Sequence, residues 1–291
     1  MPSLKEVRNR IVSVGSTMQI TSAMKMVSAA KLKRAQDAIT QMRPYANKLK
    51  ELLENVSASV DASENAYARN TGGKNLWIIA ISSNRGLAGG FNSNIIKKTN
   101  QLIKNEYAGH NITVLSIGKK VQDAFKRTQY GISGSDLPHQ ASTLFDKLNF
   151  DNTSVIAEKV MESYLTKQFD KVVLVYNQFK NAAVQIPTEE QLLPLVPSKA
   201  LGNSKVDYIF EPSQETIINE LIPRSIRTQF YKAILDSVAS EHGARMNAMH
   251  KATDNAKAMQ KELKITYNKA RQAAITKEIL EIVGGAEALN G

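Results

Sequence analysis

The sequence contains 291 residues, of which 42% are apolar, and carries a formal net charge of +11 without a single Cys. An apolar fraction of this size is enough for the core of one or two domains. The absence of Cys excludes disulfide frameworks and thiolate metal sites. No run of 18 apolar residues occurs, so no membrane-spanning helix is expected. With no signal-like segment ahead of the first helical pattern, we expect a cytoplasmic product that is used as synthesised.

Both ends of the chain are predicted to be long helices. Residues 244–283 contain neither Gly nor Pro and consist mostly of good helix formers. A helix of that length measures about 60 Å, which is too long for a domain of this size to enclose. Residues 16–43 also lack Gly and Pro. We therefore expect the two helices to pair as a shaft beside a compact middle domain, which suggests a mechanical task.

Apolar residues in both helices recur every three or four positions, the spacing of a coiled-coil seam. The seam of the first helix is predicted at Leu4, Val7, Ile11, Val14 and Met18. Beyond Met18 the strict heptad drifts, and the apolar stripe passes to Ile20, Met24, Val27, Leu32 and Ala35. The seam of the last helix is predicted at Met249, Thr253, Ala256, Gln260, Leu263, Tyr267, Ala270 and Ala274. Many of these residues are small, so the pair buries little apolar area and is expected to need surrounding protein.

The basic excess lies on these two helices. Residues 1–50 carry a net charge of +8 and residues 244–283 carry +4, whereas residues 51–243 are neutral. A basic rod suits nucleic acid or an acidic protein surface. Proteins that bind nucleic acid usually place aromatic residues beside their cations, and the terminal helices hold only Tyr45 and Tyr267. We therefore favour an acidic protein partner.

The end of the last helix is unusually apolar. Ile275, Ile279, Leu280, Ile282 and Val283 lie close together and cover more than one helix face. Two antiparallel helices cannot hide all of them, and exposed apolar patches usually mark an interface. This tip is predicted to insert into an apolar sleeve, the alternative being an end that folds back on its own domain.

The middle of the chain is predicted to be an α/β domain. Apolar runs of strand length occur at 76–81, 112–117 and 171–176, with a weaker one at 182–186, and helical patterns occur at 94–105, 119–127 and 153–169. Apolar strands alternating with helices indicate a mostly parallel sheet covered on both faces. The domain division expected is 1–56, 74–206 and 207–291, with a linker at 55–73, a loop at 187–205, and a last helix that restarts near Ser213 and pauses at Pro223.

No active site is apparent. Gly86, Gly89 and Gly90 follow the first strand but lack dinucleotide-binding spacing, so a structural turn is favoured over a phosphate site at Arg85. The four His residues contain no pair at ligand spacing within one helix, and the carboxylates are scattered. We expect no catalytic, cofactor-binding or metal-binding residues.

Three long motifs carry a family resemblance. They are S-L-K-E-V-R-N-R-I-V-S-V with I-T-S-A-M-K-M-V-S-A-A-K-L-K-R-A-Q near the start, S-S-N-R-G-L-A-G-G-F-N-S-N-I in the middle, and A-R-M-N-A-M-H-K-A-T-D-N-A with Y-N-K-A-R-Q-A-A-I-T-K-E-I-L-E-I-V-G-G-A near the end. In this order and over the whole chain, the sequence resembles the gamma subunit of F-type rotary ATP synthases. It departs from the usual family pattern at Ser22, Asn84 and Ala88, where Lys or Arg, Asp and Cys are common.

The resemblance implies a rotor. It implies a long antiparallel coiled coil of the N- and C-terminal helices plus a central Rossmann-like α/β domain. Its implied partners are three alpha and three beta subunits around the coiled coil, and the epsilon subunit and the c-subunit ring at the α/β domain. The implied role is a non-catalytic central stalk in ATP synthesis and hydrogen ion transport, peripheral to the cytoplasmic face of the bacterial inner membrane.

The resemblance also implies roles for individual residues. Arg271 and Gln272 would contact a catch loop of a beta subunit. Met24 would face Thr276 and Glu278 near the top of the shaft, and Arg245 and Asp254 would belong with them to the shaft-coupling residues. The tip residues that would form the bearing are Ile279, Ile282 and Val283. A non-rotary coiled-coil scaffold or a basic nucleic-acid-binding stalk stays open as the alternative.

Overall fold

A computed structural model describes residues 3–59, 66–69, 72–132, 141–195 and 214–290. Its helices and strands, in chain order, are α1 (Leu4–Ser59), β1 (Asn75–Ile81), α2 (Phe91–Gln101), β2 (Asn111–Ile117), α3 (Lys119–Phe125), α4 (Phe150–Leu165), β3 (Lys171–Phe179), β4 (Gln185–Leu193) and α5 (Gln214–Asn290). A π-helical turn, Leu102–Glu106, continues α2, and 3-10 turns span Ala66–Ala68 and Ala141–Asp146. The chain divides into a helix-pair unit, Met1–Ser28 with Met246–Gly291, and a sheet unit, Ala29–Arg245.

The sheet unit is built around four strands in the order β2-β1-β3-β4. Strands β2, β1 and β3 are parallel, and β4 is antiparallel to β3. Strand β1 is central because its sequence, N-L-W-I-I-A-I, is apolar at nearly every position, which suits a strand buried on both faces. The mostly parallel sheet expected from the sequence is confirmed.

Helices cover both faces of this sheet. On one face, Trp77, Ile79 and Ile81 of β1 belong to a core with α4 and with the 222–234 segment of α5. On the other face, Leu76, Ile78 and Ala80 pack with α2 and α3. Successive residues of a strand point to opposite faces, so the single apolar run of β1 supplies both cores.

Strand β4 corrects the expectation of a strand at 182–186 and a loop from Pro187. The strand runs from Gln185 to Leu193 and includes Pro187, which pairs with Asn177 of β3. Its T-E-E-Q stretch has a polar, loop-like composition. An edge strand tolerates both proline and polar residues because one of its backbone edges pairs with no other strand. The carboxylates are also bonded, since Tyr107 donates to Glu189 and Tyr176 donates to Glu190.

The long helices continue through residues that were expected to stop them. Helix α1 contains Pro44 and extends to Ser59, so the first residues of the expected 55–73 linker are helical. Helix α5 begins at Gln214, passes through Pro223 without a pause and ends at Asn290. A proline inside a helix costs about 3 kcal/mol. Its neighbours Ile222 and Ile226 are buried in the core, and this packing offsets the cost.

In the helix-pair unit, the first part of α1 lies antiparallel to the last part of α5. The α/β fold class with long paired terminal helices, as expected from the sequence, is confirmed. Within the described ranges, no helix is long and apolar enough to cross a membrane.

Candidate protein-binding surface

Three contacts fix the antiparallel register of the helix-pair unit. The hydroxyls of Thr253 and Thr21 lie 2.8 Å apart, and Lys25 Nζ lies 3.4 Å from His250 Nδ1. Near the start of α1, a Cβ on Gly15 would lie 3.0 Å from the Gln260 side chain. Residue numbers at facing positions therefore increase along α1 as they decrease along α5.

The predicted seam is confirmed over most of its length. The residues of both helices that are buried or half-buried follow the spacing of three and four from Leu4 to Met18 and from Met249 to Ala270. The most buried of them are Val7, Met249 and Ala256, of which Ala256 is small. The pair therefore hides little apolar surface.

Beyond Met18 the expected apolar stripe is confirmed in part, because Met24 is half-buried and Leu32 and Ala35 are buried. The spacing continues unchanged through Thr21, Lys25 and Ser28, and Ser28 is buried. The apolar residues Ile20 and Val27 are exposed instead. The sequence was misleading here because polar residues occupy three consecutive seam positions.

The pairing ends before α5 does. At the register set by Thr21 and Thr253, the first residue of α1, Leu4, lies level with residue 270 or 271. Every residue from 271 to 286 is exposed, including Ala274, which was expected to belong to the seam. We call residues 271–286 the unpaired segment.

The unpaired segment carries an apolar stripe that does not continue the seam. Ile275, Ile279, Ile282 and Val283 are spaced by three and four residues and so share one side of the helix. The next seam positions after Ala274 are Lys277 and Glu281, which lie 3.5 Å apart in an ion pair. A longer partner helix would thus meet charged residues, and the apolar stripe faces elsewhere.

A row of cations leads into this stripe. Lys257, Lys261, Lys264 and Arg271 lie on the same side of α5 as Ile275, at spacings that are multiples of one helical turn, and all are exposed. We call this row and the apolar stripe the basic–apolar face. The row was not predicted, although its spacing of four, three and seven residues is visible in the sequence.

The structure does not bring Met24 to Thr276 and Glu278. The neighbour of Met24, Lys25, contacts His250, and residue 250 is about 39 Å from residue 276 along one continuous helix. The expected contact is therefore wrong. Thr276 and Glu278 lie in the unpaired segment together with Arg271 and Gln272, and all four are exposed.

Arg245 and Asp254 have separate partners. Arg245 is buried in the sheet unit, where it pairs with Glu241 at 2.6 Å. Asp254 is exposed in the helix-pair unit, 3.4 Å from His250. The two residues assigned to shaft coupling therefore belong to two separate pairs, each between residues one turn apart on α5.

Arg245 also explains the glycine-rich turn after β1. Its guanidinium donates to the carbonyl oxygens of Arg85, at 3.2 Å, and Gly86, at 3.3 Å. In open α/β sheets this carboxyl edge is where ligands usually bind. Here a side chain of α5 occupies the turn, which supports the structural role favoured from the sequence. Within the described ranges, no group of three or more His, Asp or Glu residues is placed to hold a metal ion.

Burial shifts the pKa of two groups beside Arg245. Burial raises the pKa of Glu241, although Arg245 opposes this shift. Burial and the nearby cations Arg245 and Lys31 lower the pKa of His242 to about 4. His242 is therefore neutral at pH 7, and neither group lies on the basic–apolar face.

Comparison with known proteins identifies the family. A family model described as ATP synthase matches residues 3–289. The ATP synthase gamma chain of Flavobacterium johnsoniae is 59% identical over 296 residues, and that of Christiangramia forsetii is 56% identical over 292 residues, each covering all of both chains.

Chains of solved ATP synthase structures have a similar fold. A chain of the Tetrahymena thermophila mitochondrial ATP synthase central stalk and c-ring has a TM-score of 0.59 and 25% identity, and the match covers 80% of this chain and 99% of that one. A chain of the Euglena gracilis mitochondrial ATP synthase shares the fold, with a TM-score of 0.67 at 20% identity over 98% of this chain and 94% of that one. The chain belongs to the ATP synthase gamma chain family.

Proposed function

We propose that this chain, as the central-stalk subunit of a rotary ATP synthase, turns inside a ring of three alpha and three beta subunits. Gamma chains are non-catalytic subunits of the complex. Rotation of an asymmetric helix pair inside such a ring would drive each beta catalytic site through its conformational cycle. The c-subunit ring and the epsilon subunit would bind the sheet unit, on the cytoplasmic side of a bacterial inner membrane.

The exposure of the unpaired segment is the observation that carries this proposal. Ile275, Ile279, Ile282 and Val283 are 47–67% exposed, and the charged seam positions beside them do not suit a longer α1. Burying one such side chain contributes about 1.5–3 kcal/mol. A ring of other subunits around the segment would supply this burial.

The row of cations indicates the chemistry of the surrounding surface. Lys257, Lys261, Lys264 and Arg271 project from one side of α5, where an acidic loop of a surrounding subunit could meet them in turn. Exposed pairs of opposite charge contribute little affinity but orient and steer the partners. Weak contacts of this kind suit a surface that must exchange partners at each rotary step.

We assign roles within the basic–apolar face from its two halves. Arg271 and Gln272 lie where the cations end and the apolar stripe begins, and we propose that they contact a catch loop of a beta subunit. Ile279, Ile282 and Val283 form the bearing. The exposed Thr276 and Glu278 belong to the same contact zone. Arg245 and Asp254 support the helices through their separate pairs.

The alternative of a non-rotary scaffold or nucleic-acid-binding stalk finds no support in the relatives. Co-purification separates the two possibilities. The full chain, tagged and expressed with its native partners, should recover alpha and beta subunits at three copies each per copy of this chain. Recovery of a homodimer or of polynucleotide in place of these subunits would contradict the proposal.

A chain with Ile279, Ile282 and Val283 all replaced by Ser tests, in the same experiment, whether the exposed apolar stripe binds the partners. The partners should be recovered in lower yield, because the bearing has lost its apolar contacts. The matched control replaces Val155, Leu165 and Val184 by Ser, three apolar residues of the sheet unit that are also exposed. That control should recover the partners at the normal yield.

A further inference from the structure

One ion pair connects three elements of the sheet unit. Arg43, on α1, donates from Nη2 to Asp236 Oδ1 of α5 and to the carbonyl oxygen of Phe179 at the end of β3, each at 2.8 Å. Asp236 is completely buried, whereas the Arg43 side chain is 40% exposed. Both long helices are thus bonded through one guanidinium to the end of a central strand.

The next turn of α5 continues the attachment. Ser240 donates to the carbonyl oxygen of Asn177 at 2.9 Å, and the side chain of Asn177 donates to the carbonyl oxygen of Phe91 at 3.1 Å. A Cβ on Gly243 would lie 3.1 Å from the Ala182 carbonyl oxygen, so the absence of a side chain there allows close approach. Helix α5 therefore presents one polar side to the carboxyl end of the sheet.

Stability alone does not account for a buried charge pair at this position. Burial raises the pKa of the Asp236 carboxyl, and the hydrogen bond from Arg43 opposes that shift. Replacing such a pair by well-packed apolar residues is often neutral or stabilising. What the pair does provide is a fixed orientation of the two helices on the sheet. Hydrogen bonds weaken steeply when their angle changes, whereas apolar packing is non-directional.

We propose that the Arg43–Asp236 pair transmits torque between the sheet and the two long helices. This inference rests on the proposed rotary function. A load applied to the sheet would tend to slide α5 across the apolar core to which its Ile222, Ile226 and Phe230 belong. The pair and the Ser240–Asn177 bond resist that sliding at the carboxyl edge. Arg43 and Asp236 are positioning residues of the sheet unit.

Torsional stiffness in single rotating complexes tests this proposal. Because the chain has no Cys, an Asn105→Cys replacement on the exposed surface of the sheet unit gives a unique thiol in this subunit for attaching a bead. With the alpha–beta ring immobilised, the variance of the bead angle during catalytic pauses is inversely related to stiffness. We expect Asp236→Asn and Arg43→Met each to raise this variance by about twofold or more.

Three further variants make the test decisive. Asp37→Asn removes an ion pair of 2.7 Å between Lys33 and Asp37 within α1, and it should leave the variance at the wild-type value. The double variant Arg43→Met with Asp236→Asn leaves no unpaired buried charge, so it provides the measurement if a single variant fails to assemble. Arg43→Lys retains a donor and should restore part of the stiffness.

The outcomes separate this inference from the function on which it rests. If the wild-type subunit does not assemble or rotate, the rotary function is wrong. If the wild type rotates and the Arg43 and Asp236 variants show the same angular variance as wild type and Asp37→Asn, the torque proposal is overturned. Raised variance in the Arg43 and Asp236 variants alone, with ATP hydrolysis per complex unchanged, supports it.

Discussion

The β1 strand and the unpaired segment of α5 are both rich in isoleucine, but they use it in opposite ways. Ile79 is completely buried between β2 and β3, whereas Ile279 is 55% exposed. In the sheet unit, apolar side chains meet one another within the chain and stabilise it. In the unpaired segment, similar side chains are about half or more exposed to solvent. The difference shows that apolar content alone does not distinguish a core from a surface awaiting a partner.

Truncation after Ile275 should produce the largest effect on assembly. It removes Ile279, Leu280, Ile282 and Val283, each worth roughly 1.5–3 kcal/mol if fully buried in the complex. The yield of complex should fall strongly, and ATP hydrolysis per assembled complex should fall only moderately, because a bearing performs no chemistry. Density-gradient yield and specific activity measure the two quantities.

A chain ending at Ala286 is the control for this truncation and should assemble normally. Complete loss of activity in well-assembled truncated complexes would show that the segment takes part in the drive mechanism. The apolar residues of the unpaired segment would then serve neither as a core nor as a passive contact surface, but in the drive mechanism.

The same substitution at Ile79 and Ile279 should separate the two regions in the isolated chain. Ile79→Ala leaves a cavity beneath the sheet and should lower the free energy of unfolding by about 2–5 kcal/mol. Ile279→Ala should change it by less than about 0.5 kcal/mol. Urea unfolding measures both, followed by fluorescence of the sole Trp, Trp77, which stacks on Phe169 in the sheet unit, and by far-ultraviolet circular dichroism for the long helices. Equal losses at the two positions would mean that the unpaired segment folds back in solution.

Joint replacement of Arg271 and Gln272 by Ala should spare assembly and slow turnover. A hydrogen bond to a charged group contributes about 1.5–3 kcal/mol, so ATP hydrolysis per complex should fall by about one to two orders of magnitude. Joint replacement of Lys277 and Glu281, exposed on another side of the helix, is the control. A similar slowing in the control would argue for a general loss of helix stability.

The smallest expected effect concerns pH and the sheet unit. The pKa of His242 is lowered from 6.5 to about 4 by burial and by Arg245 and Lys31, so its neutral form is favoured in the folded state. The contribution of neutral His242 to the free energy of unfolding is therefore present above pH 6.5 and is lost as pH falls towards 4. Glu241, whose pKa is raised, acts in the opposite sense.

Replacing His242 by Gln should make the chain less sensitive to acid. The loss of unfolding free energy between pH 7 and pH 5 should shrink by roughly 1 kcal/mol, allowing for partial solvent screening. Urea unfolding at the two pH values measures this. His110→Gln, at an exposed site, should leave the loss unchanged. If the His242→Gln variant lost as much unfolding free energy between pH 7 and pH 5 as the wild type, protonation of His242 would not be coupled to unfolding.

The sequence was sufficient where one physical signal dominated. The apolar runs of β1, β2 and β3 and the long stretches without Gly or Pro gave the fold, because burial on both strand faces and helix propensity leave clear patterns. It was insufficient where tertiary contacts override local preference. Pro223 stays helical because Ile222 and Ile226 are buried beside it, and β4 forms because β3 offers a free edge.

The candidate surface was predictable in composition and less so in geometry. The apolar tip and the basic excess were visible as residue types. The wrong placement of Met24 opposite Thr276 arose because spacing within each helix does not report the register between helices. That register depends on Thr21 and Thr253, two ordinary residues in a sequence otherwise searched for apolar seams.

The Thr21–Thr253 contact therefore helps to determine the length of α5 that extends beyond the first residue of α1. If α5 slipped by one heptad in one direction, the Thr253 hydroxyl would face the apolar Val14 and lose its 2.8 Å partner, whereas a slip in the other direction would place it level with Ser28. The same slip would lengthen or shorten the unpaired segment by about 10.5 Å. The Thr21–Thr253 pair, together with Lys25 and His250, thus sets how far the unpaired segment extends beyond α1. Insertions between Thr253 and Arg271 change that extent directly, and so do insertions between Leu4 and Thr21, because they lengthen the paired part of α1.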